Sequence, residues 1–337
     1  MTTSAHDQRH RASDTPAPDV LVDVHRLSVR IRTPLGHVVH ALNDVSFGLR
    51  PGRVLALVGE SGSGKSVLAA TILGLLPANA QVRGRIMLHD GGESIDLLRA
   101  SETRLAAKVR GRRIGLVPQS ASTHLTPVRT ARSQLEEAVR ALTPRGHRRF
   151  GASSRGQSLT ITERVRELAG HVGLDPADLA LYPHEMSGGM AQRVATALAL
   201  AGDPRVVVAD EPTAGLDREL VHLTVDLLRA LASEGRTVLL ITHDLGAAER
   251  VADDIAVMYA GRMLEFGPAT QLLSDSWHDY TRGLLRALPA GGLVPIPGQP
   301  PSLTDLPPGC AFHRRCPGEC SGDLALTWFG ERAVACR

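Results

Sequence analysis

Gly59-Glu60-Ser61-Gly62-Ser63-Gly64-Lys65-Ser66 fits the phosphate-binding loop pattern G-x-x-x-x-G-K-[ST]. Gly59, Gly62 and Gly64 let backbone N–H groups, including that of Ser61, turn toward a polyphosphate. A helix N-terminus behind the loop adds partial positive charge. Lys65 is one of only two lysines in a chain that otherwise uses arginine. Its ammonium is placed to reach β- and γ-phosphates, and the Ser66 hydroxyl to ligate Mg²⁺. A second group of polar residues, Asp210-Glu211, follows the apolar run Val206-Val207-Val208-Ala209. In phosphate-loop ATPases such an Asp holds Mg²⁺, directly or through water, and the next carboxylate can polarise the attacking water. The alternative, acids at an ordinary strand end, loses weight beside a phosphate loop. A third feature, Ser187-Gly188-Gly189, is a Ser and two glycines opening a helical pattern, which makes another anion cradle. One phosphate-loop site does not need two.

These groups must be held by strands and helices. Residues 54–58 form a short, fully apolar strand of the parallel-sheet kind, feeding the loop, and a helical pattern runs over 67–76. Residues 21–31 alternate apolar and polar, and 38–47 read as their antiparallel partner after a turn at Pro34-Leu35-Gly36. Further strands are predicted over 84–89, 113–117, 206–209, 238–242 and 255–259. Helices are predicted over 130–142, 160–172, 187–201 and 219–233. Strands alternating with helices imply a parallel sheet covered on both faces. Residues 144–158 are basic, Gly- and Ser-rich, and read as a mobile surface loop. Residues 289–308 hold seven prolines and read as a linker into a Cys-bearing tail.

The bulk numbers are those of an ordinary globular chain of 337 residues. A net charge of +3 is too small to argue for nucleic acid. No run of about 18 apolar residues spans a bilayer. Residues 1–19 are polar, lack an apolar signal core, and read as a disordered leader.

The segment Met186-Ser187-Gly188-Gly189-Met190-Ala191-Gln192-Arg193 resembles the Leu-Ser-Gly-Gly-x-x-Gln-Arg signature of the ATP-binding subunits of ABC transporters, with Met186 for Leu. Other family elements follow in order. Gln119 matches the glutamine loop, which senses the γ-phosphate, reaches Mg²⁺ and faces the membrane subunits. Ala214-Gly215-Leu216-Asp217 resembles the dimer-contact loop, with Asp217 as its acid. His243 matches the switch histidine that contacts the γ-phosphate. The resemblance spans about residues 21–288. It implies an α/β phosphate-loop ABC ATPase domain over 20–288, with a mixed or parallel sheet core and an antiparallel β subdomain. A helical subdomain falls at about 120–200, and residues 289–337 follow as a short Cys-bearing tail.

His278-Asp279-Tyr280-Thr281 with Leu284-Leu285-Arg286-Ala287 resembles the His-Pro-Tyr-Thr…Leu-Leu-x-Ala segment of the dipeptide, oligopeptide and nickel importer ATPases, with Asp279 for Pro. So do Thr33-Pro34-Leu35-Gly36 and the Cys-containing tail. The loop beside adenine offers His37, Val39 and His40 in place of the usual aromatic. After the glutamine loop, residues 120–127 depart from the family's Asp-Pro-Met-Thr-Ser-Leu-Asn-Pro, near the expected permease contacts.

The resemblance implies an ATPase that uses ATP and Mg²⁺ at the cytoplasmic face of the plasma membrane. Its partners would be two transmembrane permeases, an extracytoplasmic solute-binding protein and a second ATPase chain, a heterodimer being favoured. Each signature helix would close on the neighbour's phosphate loop. Peptide uptake is the expected cargo and nickel the alternative. A soluble ABC ATPase acting on ribosomes or DNA is disfavoured by the single domain and the lack of heptads. A degenerate partner is disfavoured by intact Lys65, Asp210, Glu211 and His243. Cys310, Cys316, Cys320 and Cys336 leave three readings: a [4Fe–4S] cluster, structural zinc, or free thiols.

Overall fold

The computed structural model describes residues 20–143, 160–307, 309–315 and 324–336. The expected leader, the 144–158 loop, Cys316 and Cys320 lie outside the described residues. The chain first lays down an antiparallel unit: β1 (Val22–Arg32), β2 (Val38–Leu49) and, after β3 (Val54–Val58), β4 (Ala80–Asp90) and β5 (Glu93–Asp96), in the order β2-β1-β4-β5. Alternation explains it: Val22, Val24, Leu27 and Val29 of β1 are buried, with polar residues between.

The second sheet runs β11-β12-β10-β9-β3-β8-β7-β6. Its members are β6 (Ile114–Val117), β7 (Val206–Asp210), β8 (Thr237–Thr242), β9 (Asp254–Tyr259), β10 (Arg262–Pro268), β11 (Thr327–Phe329) and β12 (Arg332–Val334). The five central strands, β9-β3-β8-β7-β6, are parallel, and β10, β12 and β11 add antiparallel pairs. The sheet is therefore mixed. Its central strands are mostly apolar, with polar residues at their ends, because both faces are covered. Leu55 and Leu57 of β3, with Leu239 and Ile241 of β8, face a layer holding Leu68, Ile72 and the antiparallel sheet. Val238 and Leu240 face the opposite layer, with Val225, Leu228 and Leu231 of the helix Arg218–Ser233.

The helical subdomain gathers the helices Ala131–Leu142, Ile161–His171 and Gly188–Ala199 around Leu135, Val139, Val165, Leu168 and Val194. Their starts were legible: Thr130, Thr160 and Ser187 each cap with the side-chain oxygen, and Thr160 with Glu163 completes a capping box.

The tail differs from expectation. Its proline content predicts little apolar burial, yet Cys310, Ala311 and Phe312 are buried, as are Ala333, Val334 and Ala335. Phe312 meets Tyr259 and Tyr280 edge-on, with centroids 5.5 and 5.4 Å away. β12 joins β10, pairing Glu265 with Val334 and Phe266 with Ala333. Glu265, fully buried, accepts from the backbone N–H groups of Trp277 and His278 and pairs with Arg332, whose guanidinium lies 3.7 Å from the Trp277 ring centroid. The linker's prolines bend the chain back over the domain; they do not keep it away.

His278 caps the helix Asp279–Ala287, its Nδ1 accepting from the Tyr280 N–H at 3.0 Å. Burial pushes its protonation down to about 4, with Asp279 opposing and Arg282 assisting. The unfolded chain therefore takes up a proton near pH 6.5 that the folded chain refuses until about pH 4. His278 should stabilise the fold fully above pH 6.5, by about 3 kcal/mol, and lose that contribution as pH falls to about 4. Denaturant titrations from pH 7 to 4.5 should show this slope, and His278→Asn, which keeps a capping oxygen, should flatten it. Equal slopes in both proteins would remove His278 as the source.

Candidate functional site

The phosphate loop leaves β3 and enters the helix Lys65–Ile72. Two of its glycines are fixed by close approaches. A Cβ on Gly59 (φ 152°) would lie 2.1 Å from the Met258 carbonyl oxygen, and one on Gly64 (φ 103°) 2.4 Å from that of Ala41. No other residue fits either place. Lys65 is buried, and its Nζ donates to the carbonyls of Gly59 (2.8 Å) and Glu60 (3.0 Å) and to Ser63 Oγ (3.4 Å). Burial holds its pKa below the usual lysine value, while Glu211, Asp210 and Glu60 pull the other way.

The carboxylates arrive from β7. Ser66 Oγ donates to Asp210 Oδ1 at 3.0 Å, which puts together the two oxygens expected to share Mg²⁺. Burial pushes the Asp210 carboxyl up, the Ser66 bond and Lys65 lower it, and the charge of Glu211 adds to the rise. A divalent cation between them would supply the missing positive charge, so the pair fits one.

Glu211 is the hub. Its Oε1 lies 4.0 Å from Lys65 Nζ, and its Oε2 accepts from Gln119 Nε2 at 3.3 Å and sits 3.2 Å from His243 Nδ1. Its backbone is in the left-handed region (φ 45°), and its N–H bonds the Ile241 carbonyl of β8 at 2.9 Å. That is a costly conformation for a non-glycine residue, held by two adjacent strands. The Glu211 side chain is 15% exposed and that of His243 63%, so the carboxylate is sheltered and the imidazole lies open to solvent.

The structure thus brings Lys65, Ser66, Gln119, Asp210, Glu211 and His243 into one cluster, from sequence segments up to 178 residues apart in the chain. Ser187, Gly188 and Gly189 stand outside it. Ser187 and Gly188 are exposed at the helix start, with Ser187 Oγ accepting from the Met190 N–H. Gly189 is buried, and a Cβ there would meet Leu220 at 2.8 Å. Asp217 is exposed and caps the helix Arg218–Ser233 through the Leu220 N–H at 3.0 Å. Sequence reasoning missed what lies behind the loop. Tyr280 Oη accepts from the Glu60 N–H at 2.9 Å, and Arg315 of the tail pairs with the Glu60 carboxylate. Tyr280 was singled out only as a family marker, and Arg315 carried no signal beyond its charge.

Glycine loop, buried lysine, strand-end Asp-Glu pair, glutamine and histidine around one carboxylate, with a serine–glycine helix start exposed elsewhere, define an ATP-binding cassette. An ABC transporter family model matches residues 42–214, and a model of the oligopeptide/dipeptide transporter C-terminal region matches residues 264–321. The chain belongs to the ABC transporter family. The oligopeptide transport ATP-binding protein OppD of Haemophilus influenzae is 39% identical over 302 residues, covering 88% of this chain and 89% of that protein. The OppD of Mycobacterium tuberculosis is 42% identical over 306 residues, and the match takes in 88% of this chain but 47% of that protein. The chain thus spans about half the length of its mycobacterial relatives. Among solved structures, the dimeric cassette MJ0796 in a post-hydrolysis state bound to ADP and Pi superposes with a TM-score of 0.61 at 26% identity, covering 74% of this chain and 98% of that one.

Proposed function

We propose that this chain is the ATP-hydrolysing subunit of an importer of short peptides. The observation that carries the reading is the pairing of a complete nucleotide cluster with a C-terminal region of the oligopeptide/dipeptide type. Gly59, Ser61, Gly62 and Gly64 present the loop to the ATP phosphates, and Lys65 moves from its loop carbonyls to the β- and γ-oxygens. Ser66 and Asp210, with Gln119 near by, would hold Mg²⁺, whose chemistry there would be to offset charge on the transferring phosphoryl group. Glu211 accepts the proton of the attacking water, and His243 stabilises the γ-phosphate. Ser187, Gly188 and Asp217 are left exposed, with Gly189 packed beneath them, to meet a second ATPase chain, whose loop they close. Two permeases, a solute-binding protein and a peripheral position on the cytoplasmic membrane face complete the assembly; among the described residues no helix is long and apolar enough to cross a membrane. Nickel import would use the same machinery.

The cysteines do not enter this reading. Cys310 is buried and Cys336 is disulfide-bonded, while Cys316 and Cys320 lie outside the described residues. The test is an affinity pull-down from detergent-solubilised membranes of the source cells, read by mass spectrometry. Two permeases, a second ATPase and a peptide-binding protein are expected. Ribosomal or DNA-repair proteins, with no membrane protein, would overturn the importer.

A further inference from the structure

Glu60, the second residue of the phosphate loop, is held on every polar group. Its N–H donates to Tyr280 Oη (2.9 Å) and its carbonyl accepts from Lys65 Nζ (3.0 Å). Its carboxylate takes both terminal nitrogens of Arg315, at 2.7 and 3.2 Å. Two-pronged guanidinium–carboxylate pairs fix orientation as well as distance. The Arg315 side chain is 3% exposed and that of Glu60 28%, so water reaches the pair only from the carboxylate side. The same guanidinium donates to the carbonyls of Pro297 (2.7 Å) and Ile296 (3.3 Å), contacts Tyr259 Oη (3.4 Å) and rests near the rings of Tyr259 and Phe312. Of its five bonds, two end on the linker carbonyls, one on Tyr259 of β9 and two on Glu60 of the loop. A second contact runs the same way: the linker's Leu303 carbonyl accepts from the His40 N–H at 2.8 Å, beside the loop expected near adenine.

A fastener for the tail alone has little need of Glu60, since Phe312 packed on Tyr259 and Tyr280, and β12 paired with β10, already hold the tail to the domain. Lys65 takes its resting partners from Gly59 and Glu60, so the setting of Glu60 decides where the ammonium starts. We propose that Arg315 is a positioning residue for ATP. Through Glu60 it sets the phosphate loop, and nucleotide affinity depends on the C-terminal region. The proposal rests on the phosphate-loop reading and extends it to a tail 255 residues away in sequence.

The test titrates a fluorescent ATP analogue into the full-length chain and its variants, with thermal melts run without nucleotide. Arg315→Met and Glu60→Gln should each raise Kd about tenfold. The double variant should be no worse than the worse single one, and Arg315→Lys should recover part of the loss. Glu60→Gln keeps the shape of the side chain and the tail's other anchors, so its melting point should stay near that of the wild type. That guards against a Kd rise caused by unfolding in Arg315→Met. Kd within twofold of wild type in both single variants, or fold-changes that simply multiply in the double, would overturn the proposal and leave Arg315 a fastener. Failure of the underlying reading looks different: Lys65→Ala would then bind as the wild type does.

Discussion

Glu211→Gln is expected to cut ATP turnover by about 100-fold or more while leaving ATP affinity nearly unchanged, and to trap a clamped dimer. The geometry separates the two effects. Glutamine keeps the length and planarity of Glu211, so an oxygen can still accept from Gln119 and face His243. What it loses is the basicity needed to take a proton from water. None of the loop's own bonds ends on Glu211, apart from the 4.0 Å approach of Lys65, so the phosphate cradle stays intact. Removing a negative charge beside the γ-phosphate site should, if anything, favour bound ATP. Phosphate release measures the first effect, and size-exclusion chromatography with ATP present measures the second. Equal turnover in mutant and wild type would strip Glu211 of its role as base.

The second large effect is expected from Lys65→Ala, which should weaken ATP binding by about 100-fold or more. Lys65 is a buried ammonium with three oxygens around it, and two of them are carbonyls of the loop itself. Truncating one side of a buried charge pair costs about 2–5 kcal/mol, and each 1.4 kcal/mol is a factor of ten in affinity. The loss should be larger for ATP than for AMP, because only the outer phosphates meet the ammonium. The Gly59 and Glu60 carbonyls also lose a donor, so a small fall in melting temperature should accompany it. Unchanged affinity in a calorimetric titration would overturn the phosphate-loop assignment.

Much of this was legible because the signals are local. The apolar runs at β3, β7 and β8 can only be central strands, and the Thr and Ser caps mark helix starts within a residue or two. The nucleotide cluster was legible for a different reason: each member sits at the end of a strand or the start of a helix, where local pattern fixes its address. β5, with four residues, and β11 and β12, with three each, are too short for any period to register. β10 was missed although Met263 and Leu264 are buried; Gly267 and Pro268 at its end interrupt the pattern. The Arg315–Glu60 pair was invisible for a plainer reason. A single charge on each side, separated by most of the chain, leaves no spacing to read.

The addition of β12 to β10 has a bearing on the chain's life in a crowded cell. A parallel sheet walled by helices still has two flanks, and a strand on a flank offers unpaired N–H and C=O groups to any passing peptide. For any chain in the cell, such an open edge is a hazard. β12 takes up Glu265 and Phe266 of β10, Ala335 bonds Leu264, and β11 beyond is only three residues long, with Trp328 leaning on Phe266. The C-terminal region therefore acts as a selvedge: it finishes the woven edge against a passing strand.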